Sequence, residues 1–495
     1  MMGAVIVAAG LCGPAAADQP ARWRAVWVDG FNPGIKTPEQ TAKLIAELKS
    51  IGGNAVIVQV RKRGDALFRR SIEPFAEDPT IPEGFDPLGH LIRAAHAEGI
   101  QVHAWVNVST IWPGRGEPPK SADHVFNRHG PTATGRADWL SRDDAGARRF
   151  ESGHFVDPGH PDYAEHFVAV VRGLVREYAV DGVHFDYVRY SETEGSLEQG
   201  YGAGYNPTNV ERFNRVHGRT GQPDRGDPAW QQWRRDQVTH LVRRARVALL
   251  EDKPGVMLSA ALIPWGGGPA DEAAWYRTAP HNRVFQDWHR WRTEGLLDFI
   301  VPMNYDREAN PAHKQYFDQW IRFEKRHRER ALSVVGVGAY MNTPADTAAQ
   351  VRRALAADGA IPGADGVCLY NYSFLVRERE GKRPIDELRP LLTDGPDAPW
   401  AGRATPPVVP RLANPTWGVI AGRATGADGQ PLDGVSIPVV PAGGGEPVRC
   451  VTDGAGHFAA VGLPPGKYRV AVPTRGVARP ETVEVAAGRV VRVGP

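Results

Sequence analysis

The stretch Asp181–Tyr190, DGVHFDYVRY, sets an imidazole and a carboxylate two residues apart in a β-forming run. Side chains alternate along a strand, so Val183, Phe185 and Tyr187 share one face and His184 and Asp186 the other. The apolar face suits packing against helices, which leaves Asp186 pointing inward near the strand's C-terminal end. A carboxylate there is costly to bury unless it is hydrogen-bonded or used. Two readings follow: direct work on a substrate, which is favoured, or a structural ion pair with Arg61 or Arg189. His184 lies deeper and is expected to orient Asp186. Arg189 is expected to pair with Asp186; the other reading is a grip on a substrate carboxylate.

The same parity applies to other short runs. Trp27 and Asp29 share a face, as do Gln59 and Arg61, and His103, Trp105 and Asn107. Asn304, Tyr305 and Asp306 end a further run, Tyr340 ends another, and Tyr370 and Asn371 end the last. Trp265 precedes Gly-Gly-Gly and reads equally as a substrate platform or a loop anchor. Rings to stack on pyranose faces, amides to read hydroxyls and carboxyls for acid/base work are what a sugar site needs. The expected catalytic pair is Asp186 with Asp306; Asp29, Glu192 and Glu194 are the next candidates for the second carboxyl. Trp288 and Trp291, three apart on a helix, read as core, and Asp157 before Pro158 reads as a helix cap. His103, His184, His240 and His289 show no ligand spacing, so neither metal nor cofactor is expected.

These residues need a scaffold that gathers strand ends. Between residues 22 and 392, β-branched or aromatic runs alternate with amphipathic helical runs, the signature of βα units. Strands are predicted at 24–29, 54–61, 100–107, 182–187, 256–263, 299–305, 333–340 and 366–372. Thr37-Pro38 predicts a helix start. Eight such units fit a (β/α)8 barrel. An open doubly wound sheet is the alternative, but no Gly-rich phosphate loop follows the first strand. The long segments 108–159 and 191–206 are expected to shape the site. Residues 393–415 are Pro- and Ala-rich and read as a linker. From 416 to 495 short alternating strands and the turns DGQP, DGAG and PPGK predict a small β-sandwich.

The chain has 495 residues, with 59 Lys+Arg against 57 Asp+Glu, and that balance gives no support to nucleic-acid binding. Hydrophobic residues at 42% exclude a disordered chain. The apolar run Ala4–Leu11 followed by Ala15-Ala16-Ala17 reads as a signal peptide over residues 1–17, so export to the periplasm or beyond is expected. Leu11 before Cys12 argues against a lipoprotein anchor. No later run is long enough to span a membrane. Cys368 and Cys450 fall in different units, and no bond between them is expected. Oligomeric state is left open.

The runs RAVWVDGFN, HAWVN, FVDPGHPDY, DGVHFDYVRY, QDWHRWRTEGLLDFIVPMNYD and GVCLYNYS resemble the bacterial glycosyl-hydrolase-like family with a family-10-type barrel, over roughly residues 22–392. The resemblance implies an exported TIM-barrel protein acting on bacterial cell-wall or related glycans. Some members are similar to peptidoglycan glycosidases that cut strands stripped of peptides. Many relatives carry two acidic residues after the His-Phe pair; here Tyr187 follows Asp186. Family-10 xylanases place a glutamate at the end of the seventh strand, where this chain has GVGAY, which argues against a simple xylanase mechanism. DGVHFDYV is also similar in spacing to the DGxDxDxE motif of family-18 chitinases, and MNYD to their MxYD. Val188 stands where their catalytic Glu would be, which leaves open substrate assistance by an N-acetyl group. The C-terminal runs GVIAGRATGADGQPLDGVSI and GHFAAVGLPPGKYRVAV resemble the carboxypeptidase-regulatory-like, transthyretin-like sandwich, which implies a spacer or adhesion unit.

The expectation is therefore a glycosidase acting on a bacterial glycan, peptidoglycan strands first and exopolysaccharide next. The alternatives are a glycan-binding pseudoenzyme, a substrate-assisted hydrolase of N-acetylated glycans, and another barrel hydrolase or lyase.

Overall fold

The computed structural model describes residues 20–113, 116–328, 330–395 and 397–494. The expected leader, with Cys12, lies outside them.

Eight parallel strands close into a barrel in which each pairs with its neighbours in sequence. They are β1 (Trp23–Val28), β2 (Ala55–Arg61), β3 (Gln101–Asn107), β4 (Gly182–Asp186), β5 (Met257–Leu262), β6 (Phe299–Asn304), β7 (Leu332–Gly338) and β8 (Gly366–Tyr370). The ring runs β1-β8-β7-β6-β5-β4-β3-β2, so the open-sheet alternative is excluded. The helices that shield it include α1 (Pro38–Ser50), α2 (Pro87–Ala97), α3 (Pro161–Glu177), α4 (Pro207–His217), α5 (Pro228–Asp252), α6 (Trp288–Thr293), α7 (Pro311–Arg326), α8 (Pro344–Leu355) and α9 (Pro384–Thr393). Thr37 caps α1 by accepting from the Gln40 N–H at 3.3 Å, and Pro38 opens the first turn, where its missing N–H costs nothing.

The outward faces of the strands join the helices in one large apolar core, which contains Trp288 and Trp291. The inward faces form a second core inside the barrel. Trp23 and Phe299 meet near the N-terminal end with ring centroids 4.4 Å apart, and Ile57, Val301, Val334 and Cys368 lie in the same cluster. Trp27 lies beyond them, toward the C-terminal ends. Its indole needs the space left by Gly336, where a Cβ would fall 2.7 Å from the ring.

Residues 393–415 connect the two units and also line the barrel floor. Val409 inserts into the interior cluster with Trp23 and Phe299. Arg24 donates to the Trp400, Ala401 and Gly402 carbonyls at 2.6–3.0 Å. Asp298, at the foot of β6, is gripped by Arg411 from this segment and by Arg246 from α5. Those guanidiniums hold its carboxyl far below the usual range despite burial.

The C-terminal unit has a three-stranded sheet, β12-β9-β15, and a four-stranded sheet, β11-β10-β13-β14. Its strands are β9 (Gly418–Arg423), β10 (Ser436–Pro441), β11 (Val448–Val451), β12 (His457–Leu463), β13 (Gly466–Thr474), β14 (Val477–Val485) and β15 (Val490–Val493). It docks on the flank of the barrel. Trp417, Val419 and Ala459 pack on Val247 and Leu250 of α5, and Arg212 of α4 binds Asp433 through two bonds of 2.7 and 2.9 Å. Cys368 and Cys450 are buried free thiols.

Removing Asp298 would leave two guanidiniums buried without their counter-charge. Asp298→Ala is expected to lower unfolding free energy by about 3–5 kcal/mol, read by urea denaturation at neutral pH. A loss below about 1 kcal/mol would show that the floor contributes little.

Candidate active site

The C-terminal ends of the barrel strands open into one cleft of about 1810 Å³, including its mouth. Among the residues singled out from sequence, Asp29, Gln59, Trp105, Asn107, Asp186, Arg189, Trp265, Tyr305, Asp306, Tyr340, Tyr370 and Asn371 line it.

Asp186 ends β4 beside Asn107 of β3, its register partner. Its side chain is 6% exposed, and Oδ1 accepts the Tyr187 N–H at 2.7 Å. That contact places Tyr187 at φ 51°, a left-handed conformation uncommon for an aromatic residue. Burial pushes the Asp186 carboxyl up to about 6, against the Tyr187 N–H, the Arg189 charge and the Trp105 indole. No ion pair with Arg61 or Arg189 forms within 4 Å among the described residues, so the structural-pair reading fails. Asn107 fixes the neighbouring wall: its Oδ1 accepts from the Trp105 indole at 2.8 Å and the Gln59 amide at 3.2 Å. The Gln59 carbonyl in turn accepts the Gly30 N–H at 3.0 Å.

The opposite wall is aromatic. Tyr305 and Tyr370 stack with centroids 5.1 Å apart, Trp27 meets both edge-on, and Tyr340 extends the group toward solvent. Trp265 also lines the cleft, below the guanidiniums of Arg189 and Arg283.

Asp306 follows β6. The Asn342 and Gln350 amides hold its backbone carbonyl at 2.9 and 3.0 Å. Burial raises its carboxyl to about 6, opposed by His313, whose Nδ1 lies 3.2 Å from Oδ1. Asp29 is fully engaged. One oxygen accepts the Phe31 and Asn32 N–H groups and the Asn32 amide, and the other accepts from Asn371 and Ser373. It organises the loop after β1 and has no open lone pair for acid/base work. Glu192 faces Arg283 at 3.6 Å.

Four expected site residues lie elsewhere. Arg61 does not share Gln59's inward face, because the β2–β3 register shifts between them and turns Arg61 outward. There it is bound by Glu73 through two bonds of 2.6 Å. Asn304 also points outward, donating to the buried Glu324 of α7 at 3.1 Å. His103 and His184 face inward but lie too deep to line the cleft. Burial lowers His103 to about 4, and it rests against Phe299. His184 does not orient Asp186. The Trp27 indole can only donate, so His184 Nε2 accepts at 3.2 Å and Nδ1 carries the proton toward Ser259 Oγ at 2.9 Å. Burial keeps this ring neutral.

Asp157 does not cap α3. It ties the long segments together through Gly159, Tyr190 and Asn206, and burial lifts it to about 7. The sequence reading missed Phe31, Asn32, Arg63, Ser152, His313 and Tyr316 as lining residues and did not list Trp27 among them. Parity had already placed Trp27 on the face of Asp29. His313 and Tyr316 start α7, and no strand pattern could assign them. Among the described residues no group of three His, Cys, Asp or Glu is placed to hold a metal.

With both carboxyls raised to about 6, the cleft can hold one of them protonated and the other ionised near that pH, the combination that acid/base chemistry needs. The singly protonated form peaks near pH 6. With any cleaved substrate, kcat/KM is expected to fall on both sides of about pH 6; a plateau to pH 8 would exclude a required protonated carboxyl of this kind. A raised carboxyl pKa also opposes folding. The penalty is absent below about pH 4, grows as pH rises to about 6 and is constant above. Asp186→Asn is expected to be more stable than wild type by up to about 3 kcal/mol at pH 8, with the difference vanishing near pH 4. Equal stability at pH 8 would show that Asp186 is not held against its solvation.

The glycosyl hydrolase-like 10 model matches residues 22–341, and the carboxypeptidase regulatory-like domain matches residues 419–494. The chain is 25% identical over 337 residues to glycosyl hydrolase YngK of Bacillus subtilis, a match covering 64% of this chain and 60% of that protein. It is 27% identical over 326 residues to glycosyl hydrolase DigH of Escherichia coli, covering 58% of this chain and 66% of that one. The chain therefore spans less than two thirds of either relative. The glycoside hydrolase domain of PgaB (BpsB) from Bordetella bronchiseptica shares the fold, with a TM-score of 0.51 at 17% identity over 76% of this chain and 100% of that domain. With its barrel and strand-end cleft in that setting, this chain belongs to the glycosyl hydrolase-like 10 family.

Proposed function

We propose that the protein is an exported glycoside hydrolase that cleaves O-glycosidic bonds of a bacterial glycan, with peptidoglycan strands as the first candidate and exopolysaccharide the next. The observation that carries this reading is the pair Asp186 and Asp306, both raised to about 6, in one cleft walled by Trp27, Trp105, Tyr305 and Tyr370. Asp186 is the general acid. Buried in the cleft, it keeps its proton up to about pH 6 and delivers it to the leaving oxygen. Asp306, with His313 favouring its ionised form, is the partner that activates water or stabilises the developing oxocarbenium charge. The aromatic wall binds the apolar faces of the sugars. The names of YngK and DigH agree with this class, and the apolar run before Asp18 supports export.

A second reading is favoured by the contact between Asp306 and His313. If that contact occupies Asp306, the nucleophile would be an N-acetyl group of the substrate, with Asp186 still the acid.

The test is mass-spectrometric product analysis with intact peptidoglycan, peptide-stripped strands, chitin oligomers and xylan. Cleavage of a cell-wall substrate is expected, with Asp186→Asn lowering the rate about 10²–10⁴-fold while remaining folded. A similar loss in Asp306→Asn supports the two-carboxyl mechanism. Retained activity confined to N-acetylated glycans supports substrate assistance. Cleavage that survives Asp186→Asn removes the acid assignment, and binding without turnover in wild type makes the protein a glycan-binding pseudoenzyme.

A further inference from the structure

Among the described residues, every other buried guanidinium donates from at least two of its nitrogens. Glu73 binds Arg61, Asp433 binds Arg212, and Asp298 binds Arg246 and Arg411. Arg24 and Arg234, which lack a carboxylate partner, each donate to three or more backbone carbonyls. Arg189 is different. It is 7% exposed, yet its one side-chain hydrogen bond among the described residues is to the Tyr190 carbonyl at 3.3 Å. Its Nε is buried without a partner, as are those of Arg234 and Arg246, but Arg234 and Arg246 use both terminal nitrogens and Arg189 only one. The guanidinium lies over the rings of Tyr187 and Trp265, which fix its plane at 4.8 and 5.6 Å without neutralising it.

Arg63 is a second cation on the same cleft with no ion pair among the described residues. Its guanidinium lies over Phe31 at 4.6 Å, and among the described residues no side-chain hydrogen bond holds it. The charges of Arg189 and Arg63 both act on the Tyr187 phenol, which places them near the residue that follows Asp186. Desolvating a guanidinium without a counter-ion is unfavourable, and its planar fork matches a carboxylate through two parallel bonds.

We propose that Arg189, assisted by Arg63, receives a carboxylate borne by the sugar bound beside Asp186, so that the cleft selects an acidic glycan over a neutral one. The inference rests on the glycosidase reading and deepens it. The carboxylate is either the lactyl ether of an N-acetylmuramic unit or the C6 carboxylate of a uronic acid.

Tryptophan fluorescence of the full chain carrying Asp186→Asn, which blocks turnover, reads binding directly because Trp27, Trp105 and Trp265 line the cleft. Four oligosaccharides of equal length are titrated: one with the free lactyl carboxylate, the same one as its carboxamide, a uronic-acid oligomer and a neutral chitin oligomer. One of the two acids is expected to bind about 10- to 100-fold tighter than the carboxamide and the neutral oligomer, and the tighter acid names the source. Adding Arg189→Met is expected to bring the acid-to-amide ratio within about threefold of unity. Adding Arg189→Lys, which keeps the charge but not the fork, retains part of it, and thermal melts verify that both are folded. Equal affinity for acid and amide in the parent overturns the inference while leaving the glycan reading intact. An unchanged ratio in a folded Arg189→Met protein overturns the role of Arg189. No binding of any oligosaccharide overturns the glycan reading and this inference together.

Discussion

Asp186 lies at the closed end of a cleft, out of water, with no counter-charge in contact, and much of the architecture serves to keep it so. The barrel brings β3 and β4 side by side, so that Asn107 flanks Asp186 but spends its own amide on Trp105, Gln59 and Lys62. Tyr187 takes an unfavourable backbone conformation to supply one N–H. Arg189 is close enough to be felt but stacks on Tyr187 and Trp265 and does not bind the carboxylate. A tight pair would have lowered the carboxyl and with it the pH at which the proton is lost. The unpaired arrangement costs folding stability and leaves the carboxyl protonated up to about pH 6.

Stabilising charge contacts are concentrated away from the cleft. Arg61 with Glu73 joins β2 to the loop before α2, and Asp298 with Arg246 and Arg411 joins β6, α5 and the C-terminal segment. These are buried ion pairs with complete partners, the form in which charge can be held inside a protein. The barrel therefore has two chemically distinct ends. The floor is neutralised and apolar, with Trp23, Phe299 and Val409 in contact, and the opposite end leaves carboxyls and guanidiniums open toward the cleft.

The alternation of β-forming runs with helical runs was enough to place all eight strands within a few residues, because a parallel barrel repeats one unit and each repeat carries the same signal. Period-two parity within those strands brought Asp186, Trp105, Asn107 and Gln59 to one cleft. It failed at Arg61, where an irregularity after Gln59 reverses the facing, and at Asn304, where the polar end of a strand was read without its parity. Facing is also not depth. His103 and His184 point inward but belong to layers below the cleft, as the edge-on, hydrogen-bonded contact of Trp27 with His184 reveals. His313 and Tyr316 reach the cleft from the start of a helix, a position set by loop path and invisible to strand periodicity.

The family match stops at residue 341, before β8 at Gly366–Tyr370, and well before Val409 and Arg411 at the floor. What is inherited as a recognisable sequence is thus shorter than what must be present for the barrel to close and its base to be sealed. The residues between the barrel and the sandwich act as a keystone that happens to lie next to a joint. Exchange of the C-terminal module between lineages would preserve the barrel only where the crossover falls beyond the helix Pro410–Ala413. The short stretch before β9 is therefore where the two units can be parted, and the Pro-rich strap on its N-terminal side belongs structurally to the barrel and not to the sandwich.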